Sequence, residues 1–211
     1  MFLKQLLNTI FNKSTQLYNL KVNSEDIQKR EICVTCNSSL FKFTSYSAFL
    51  YKDKIRELIH LYKFQKKVYF AETIAKILYD LILMKIPQIN QNKSDYIIVC
   101  VPCHYFRVFT RGFNHMHLIC DELSKLLKIK FDKKLLIRSK YTPSLFNKTK
   151  LQREKIIKDC FKINNSKLKN KNTKIILIDD ILTSGTTMKE CIKTLNDNGF
   201  SNIYPFTVAS T

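Results

Sequence analysis

The chain has 211 residues, 45% of them apolar and 25% charged, which is ordinary for a globular protein sized for one medium domain and a small appendage. No stretch reaches the ~18 consecutive apolar residues of a membrane span, so no membrane-spanning helix is expected. The balance of 36 Lys and Arg against 17 Asp and Glu leaves a net charge of +19. Two accounts of that charge stand open: a surface that attracts polyanions through counterion release, or compositional drift toward Lys, Asn and Ile in an AT-rich genome.

In chain order, Phe2 to Phe11 is interrupted by polar residues and lacks a small-residue cleavage site, so no signal peptide is expected. Its apolar positions 3, 6, 7 and 10 share one helical face suited to docking. Seven cysteines, an odd number lying mainly in apolar contexts, fit a reduced cytoplasmic protein. Residues 13 to 50 read as irregular, polar and rich in Ser, Asn and Lys, with one tight Cys33-Val-Thr-Cys36. From Tyr51 onward the pattern becomes regular. Ile55, Leu58, Ile59 and Tyr62 repeat at helical spacing, as do Ala71, Ile74, Ala75, Leu78, Leu81 and Ile82.

Tyr96 to Val101 reads as a fully buried strand stopped by Pro102; a basic loop and a helix carrying Leu118, Ile119, Leu123, Leu126 and Leu127 follow. Leu135 to Ile137 is a further candidate strand, and 139 to 173 a long, charged, poorly periodic connection. Lys174 to Ile178 forms the central strand. The next helix places Met188, Cys191, Ile192 and Leu195 on one face and closes at Asn198-Gly199. Ile203 to Ala209 is the last strand, at an edge because of Pro205. Apolar strands alternating with helices predict an α/β fold, a mostly parallel sheet with helices on both faces, over 51–211. An N-terminal helix and Cys-pair segment, 1–50, precedes it.

The chemistry concentrates between Lys174 and Thr187, K-I-I-L-I-D-D-I-L-T-S-G-T-T. In a parallel sheet, ligands sit beyond the carboxyl ends of the strands. Asp179 and Asp180 can accept hydrogen bonds from a vicinal diol. Thr183, Ser184, Gly185, Thr186 and Thr187 can wrap a phosphate with backbone N–H groups and hydroxyls at a helix N-terminus. The bland alternative is an Asp pair that ends a strand and a threonine that caps a helix. Four hydroxyls and a glycine within five residues argue against it. Three glycines, at 112, 185 and 199, cannot supply a dinucleotide fingerprint or a P-loop. After the first core strand, Arg107 and Arg111 could clamp a pyrophosphate through paired charge-assisted hydrogen bonds, and Gly112 permits a special backbone angle.

The segment 174–187 resembles the phosphoribosyl-diphosphate loop of type I phosphoribosyltransferases: an apolar strand, two acids, two residues and a T-T-G-x-T-like turn, with Ser184 where threonine is common. The resemblance implies that Asp179 and Asp180 contact the ribose 2- and 3-hydroxyls and that Thr183 to Thr187 hold the 5-phosphate. Val101-Pro102-Cys103-His104 through Arg107, Arg111, Gly112, Phe113 and Asn114 resembles the V-P-x-P/H...R...R-G-F-N-Q signature of the ComF family, competence-associated phosphoribosyltransferase-like proteins. The likeness runs from Leu58 to the end and includes Thr142-Pro143, Arg153 and Phe161. His115 stands where the family has Gln, Leu145 where it has Gln, and Ile156 where it has Asn; the glycine after Lys63-Phe64 is missing.

This resemblance implies a type I phosphoribosyltransferase fold, phosphoribosyl diphosphate with Mg²⁺ as ligands, and displacement of pyrophosphate at the anomeric carbon. Asp179, Asp180 and Arg111 would be catalytic; Thr183 to Thr187, Arg107 and Gly112 would bind. It also implies a setting in DNA uptake during natural transformation, with single-stranded DNA and competence-machinery proteins as partners. A non-catalytic nucleotide- or DNA-binding module is the alternative. Family members carry two C-x-x-C pairs near the N-terminus; here only Cys33 and Cys36 match, an incomplete Zn²⁺ site with zinc-ribbon-like character. Cys100, Cys103, His60 and His104 are uncommitted. Residues 124 to 174 hold 17 Lys and Arg against 3 Asp and Glu, interleaved with Phe131, Tyr141, Phe146 and Phe161. They could track single-stranded DNA or form a solvated flap.

Overall fold

A computed structural model describes residues 21–36, 39–142, 148–164 and 170–211. The expected N-terminal helix, Phe146 and Leu145 lie outside the described residues, as do the side chains of Cys36, Arg107 and Arg111.

Seven strands and six α-helices are present among the described residues: β1 (Gln28–Cys36), β2 (Ser39–Leu50), α1 (Asp53–Phe64), α2 (Phe70–Lys85), β3 (Tyr96–Cys100), α3 (Tyr105–Arg111), α4 (His115–Leu127), β4 (Leu136–Arg138), α5 (Lys150–Ile157), β5 (Phe161–Ile163), β6 (Lys174–Leu182), α6 (Thr186–Asp197) and β7 (Ile203–Ser210). Five strands form one sheet in the order β1-β2-β7-β6-β3. Only β1 and β2 pair antiparallel; β2, β7, β6 and β3 run parallel. The fold is therefore a mixed α/β fold with a mostly parallel sheet, as expected.

Alternation along the strands divides the core. Ile98, Cys100, Ile176, Ile178, Phe206 and Val208 turn toward α1, α2 and α4. Ile97, Val99, Val101, Ile175 and Leu177 turn toward α6, whose Met188, Cys191, Ile192 and Leu195 are all buried there. Both faces are apolar because both are covered, which is why these strands read as unbroken hydrophobic runs. The helical periodicities of α1, α2 and α6 are met in full: each apolar position named for them is buried. In α4, Leu126 departs from the pattern and is exposed.

Four expectations need correction. Residues 28–36 and 39–50 are long strands, not irregular chain. Their period of two was obscured because Ser45 and Ser47 occupy buried positions in β2; Ser47 Oγ and Thr207 Oγ1 share a 2.6 Å hydrogen bond that satisfies both. Strand β7 lies inside the sheet, not at its edge. The ladder to β2 begins only at Phe206, so at Pro205 the strand is paired with β6 alone and the missing N–H falls where no second ladder has started. Residues 139 to 173 contain α5, opened by a Thr149–Gln152 capping box, and β5, which pairs with β4 in a separate antiparallel ribbon. Finally, β6 continues four residues beyond Ile178, because β7 still pairs with it after β3 has ended.

Cys33 and Cys36 sit on the continuous strand β1, in register with Lys42 and Ser39. The backbone from Cys33 to Cys36 is thus extended. Among the described residues no cluster of three His, Cys, Asp or Glu could hold a metal ion, and no helix is long and apolar enough to cross a membrane.

Candidate functional site

The end of β3 and the end of β6 meet at the carboxyl edge of the sheet. The ladder between them closes at Cys100 opposite Ile178, and Val101 N–H still donates to the Ile178 carbonyl at 2.8 Å. Beyond that point the ladder to β3 has ended and β6 continues beside β7 alone, with Asp179 opposite Thr207. The two motifs singled out in the sequence thus emerge from adjacent strands at one edge.

Asp180 is buried at 8% exposure. Its Oδ2 accepts hydrogen bonds from Lys63 Nζ at 2.5 Å and His115 Nε2 at 2.8 Å. Lys63 comes from the last turn of α1 and His115 from the first residue of α4. The Tyr62 hydroxyl donates to the His115 carbonyl at 2.6 Å and ties these two helix ends together. Burial alone would push the Asp180 carboxyl upward, but the Lys63 ammonium and the His115 contact overcome it and hold the group well below the ordinary carboxylate range. Asp179 is half-buried, and its Oδ1 accepts the Asp180 backbone N–H at 2.9 Å. Burial, and then the neighbouring Asp180 charge, push its carboxyl up to about 8. At neutral pH the pair therefore carries one proton, on Asp179.

This has a measurable consequence. Between about pH 4 and pH 8 the folded chain keeps a proton on Asp179 that the unfolded chain releases. The folded state binds more protons there, so stability falls as pH rises, by at most about 1.4 kcal/mol per pH unit from this group. Asp179→Asn is expected to flatten that decline in urea unfolding between pH 5 and pH 8. An unchanged pH profile would assign the decline to other groups.

Beyond Leu182 the chain makes the hydroxyl turn. Gly185 lies at φ +75°, in the left-handed region, and precedes the first residue of α6. The Ser184 and Thr186 hydroxyls share a 2.9 Å hydrogen bond. Thr183 is exposed, Ser184 and Thr187 are half-buried and Thr186 is buried. Two arginines reach this turn from distant parts of the chain. Arg30 of β1 donates to the Thr183 carbonyl, and to the Thr211 carbonyl at 2.9 Å. Arg153 of α5 donates to Thr183 Oγ1 at 2.9 Å and to Ser184 Oγ at 3.5 Å.

The second motif begins at His104, a buried residue whose Nδ1 accepts the Phe106 N–H at 3.2 Å and so caps α3. Arg107 and Arg111 lie on the backbone of α3. Gly112, at φ +79°, ends that helix by donating to the Val108 and Phe109 carbonyls, and the Lys66 ammonium stands 4.0 Å from where a Cβ would be. Asn114 then caps α4 by accepting the His117 N–H.

The structure brings Asp179, Asp180, the Thr183–Thr187 turn and the Gly112 loop to one edge. Cys33, on β1, is not part of the Asp180 cluster. Lys63 and His115 were visible only as members of a family pattern. Arg30 carried no signal, because the contact it makes is closed across 153 residues.

These features define a class: a mostly parallel α/β protein with an acidic pair and a hydroxyl turn at its carboxyl edge. No protein-family model matches the chain. It is 29% identical over 153 residues to Competence protein F of Haemophilus influenzae, covering 72% of this chain and 66% of that protein. It is 26% identical to the DNA utilization protein YhgH of Salmonella typhimurium and of Escherichia coli K12, covering 76% of this chain and 69% of each relative. The chain spans about two thirds of the length of the curated relatives it matches. These relatives bear out the resemblance to the ComF family.

Proposed function

We propose that this chain has a type I phosphoribosyltransferase fold and binds phosphoribosyl diphosphate at the carboxyl edge of β6, in a DNA-uptake setting. The observation that carries the reading is the Thr183–Thr187 turn, with Gly185 at φ +75° opening α6 directly beyond the Asp179–Asp180 pair. A helix N-terminus lined with hydroxyls favours a phosphate, and a protonated and an ionised carboxyl beside it can donate to and accept from a vicinal diol. Asp180 would grip through Oδ1, since Oδ2 already serves Lys63 and His115. The DNA setting is supported by the chain's similarity to a competence protein and to DNA utilization proteins.

Mg²⁺ fits this site only as cargo of the diphosphate. One carboxylate of the pair is already neutralised by Lys63 and the other holds a proton, so the protein offers little of the oxygen cage that the ion prefers. The ion would supply charge neutralisation to the leaving pyrophosphate. The chain's part would be to orient the ribose and to present Arg107 and Arg111 to the diphosphate. Incubation with phosphoribosyl diphosphate, Mg²⁺ and a pool of bases tests transfer. Pyrophosphate release that falls in both Asp179→Asn and Asp180→Asn supports an enzyme, and binding without release supports a module.

One observation favours nucleic-acid binding alongside. Tyr105 and Phe109 of α3 are 76% and 82% exposed, and Phe106 and Tyr141 are exposed beside them in edge-on contact at 5.7 Å. Exposed rings on a helix that also carries two arginines suit base stacking and phosphate pairing. Of the rings expected from the sequence, Tyr141 is exposed here, while Phe161 is buried under Arg138 and Phe131 is half-buried. Tyr105→Ala with Phe109→Ala is expected to weaken oligonucleotide binding by about tenfold or more, at ~1–3 kcal/mol per stacked base. Fluorescence anisotropy at two salt concentrations checks it; unchanged affinity would clear α3 of the role.

A further inference from the structure

The hydroxyl turn is contacted by two guanidinium groups that do different things. Arg30 spends its two Nη groups on backbone carbonyls, those of Thr183 and Thr211, and so pins the turn to the ends of β1 and β7. Arg153 instead addresses side-chain oxygens. Its Nη1 donates to Thr183 Oγ1 at 2.9 Å and lies 3.5 Å from Ser184 Oγ, while its Nε donates to the Lys148 carbonyl at 3.0 Å. The Nε bond fixes the plane of the guanidinium. The capping box at Thr149 and Gln152 fixes the start of the helix that carries it.

A hydroxyl has one hydrogen to give and two lone pairs to receive with. Because Arg153 donates to the Thr183 hydroxyl, that hydroxyl's own hydrogen is directed elsewhere, while Ser184 Oγ, 3.5 Å from Arg153, already shares a hydrogen bond with Thr186 Oγ1. A hydroxyl held as Thr183's is can serve as a donor, which is what an anion requires. Neither Asp nor Glu accepts from Arg153 among its described contacts. The charge therefore stands beside the turn without a carboxylate to neutralise it.

We propose that Arg153 is a phosphate-binding residue, which orients the Thr183 hydroxyl as a donor and balances the charge of a sugar 5-phosphate held by the turn. The proposal rests on the phosphate reading of Thr183–Thr187 given above. It places on α5, in the segment expected to be a charged, poorly periodic connection, a residue that completes the cradle from outside the β6–α6 motif.

The full chain is titrated calorimetrically with ribose 5-phosphate as wild type, Arg153→Gln and Arg153→Lys, and the ³¹P resonance of the bound sugar phosphate is followed against pH. Thermal unfolding verifies that each variant is folded. Arg153→Gln is expected to weaken binding by at least about tenfold, since charge-assisted hydrogen bonds are the strong ones. The bound phosphate should then titrate nearer its free value, and Arg153→Lys should recover part of both. Undiminished affinity in Arg153→Gln overturns the proposal. So does weakened affinity with an unmoved phosphate titration, which would make Arg153 a prop of the turn. No binding by wild type overturns the phosphate reading itself, and is distinguishable because it needs no variant.

Discussion

Asp180→Ala is expected to destabilise the folded chain by about 3–5 kcal/mol, the cost of leaving a buried charge without its partner. The Lys63 and Asp180 side chains are only 14% and 12% exposed, so water cannot replace the lost contact. His115 loses the same oxygen, and the ends of α1 and α4 lose the group on which they converge. Urea unfolding measures the loss. Lys63→Met combined with Asp180→Asn should lose less than the sum of the single changes, because the two residues share one interaction. Strict additivity, or a loss below about 1 kcal/mol, would mean that the pair is solvated and contributes as a surface ion pair does.

Gly185→Val is expected to abolish the thermal shift produced by ribose 5-phosphate. The added Cβ would meet only Leu182 Cδ1, at 3.9 Å, an ordinary contact. Crowding is therefore not the obstacle; the backbone angle is. At φ +75° a β-branched residue is strained, by roughly 1–2 kcal/mol or more. Relief of that strain rotates the peptide units whose N–H groups begin α6 and moves Ser184 and Thr186 apart. The protein is expected to remain folded, with a modestly lowered melting temperature and no ligand response. A full shift in this variant would place the ligand elsewhere.

The sequence was most legible where period and burial agree. Strand β3 and helices α1, α2 and α6 were readable because each repeats apolar residues on the face it buries. The Asp pair and the hydroxyl turn were readable because residue type and spacing are contiguous there. Strands β1 and β2 were not, since Ser45 and Ser47 are polar residues at buried positions, and the partner of Ser47, Thr207, lies 160 residues away. The interior place of β7 was hidden for a similar reason: Pro205 marks an edge only locally, at the point where β2 has not yet joined. Lys63, His115, Arg30 and Arg153 act on the site through tertiary contacts that no local pattern encodes. The site was therefore visible as a ligand motif, while its electrostatic support was not.

The central claim is that the turn beyond β6 holds the phosphate of a phosphorylated pentose whose diol meets the Asp pair. The most direct measurement is a calorimetric titration of the full chain with phosphoribosyl diphosphate and Mg²⁺, repeated in the presence of ribose 5-phosphate. Saturable binding to one site, displaced competitively by the simpler sugar phosphate, is the predicted result. Absence of binding, or binding that ribose 5-phosphate leaves untouched, would contradict it.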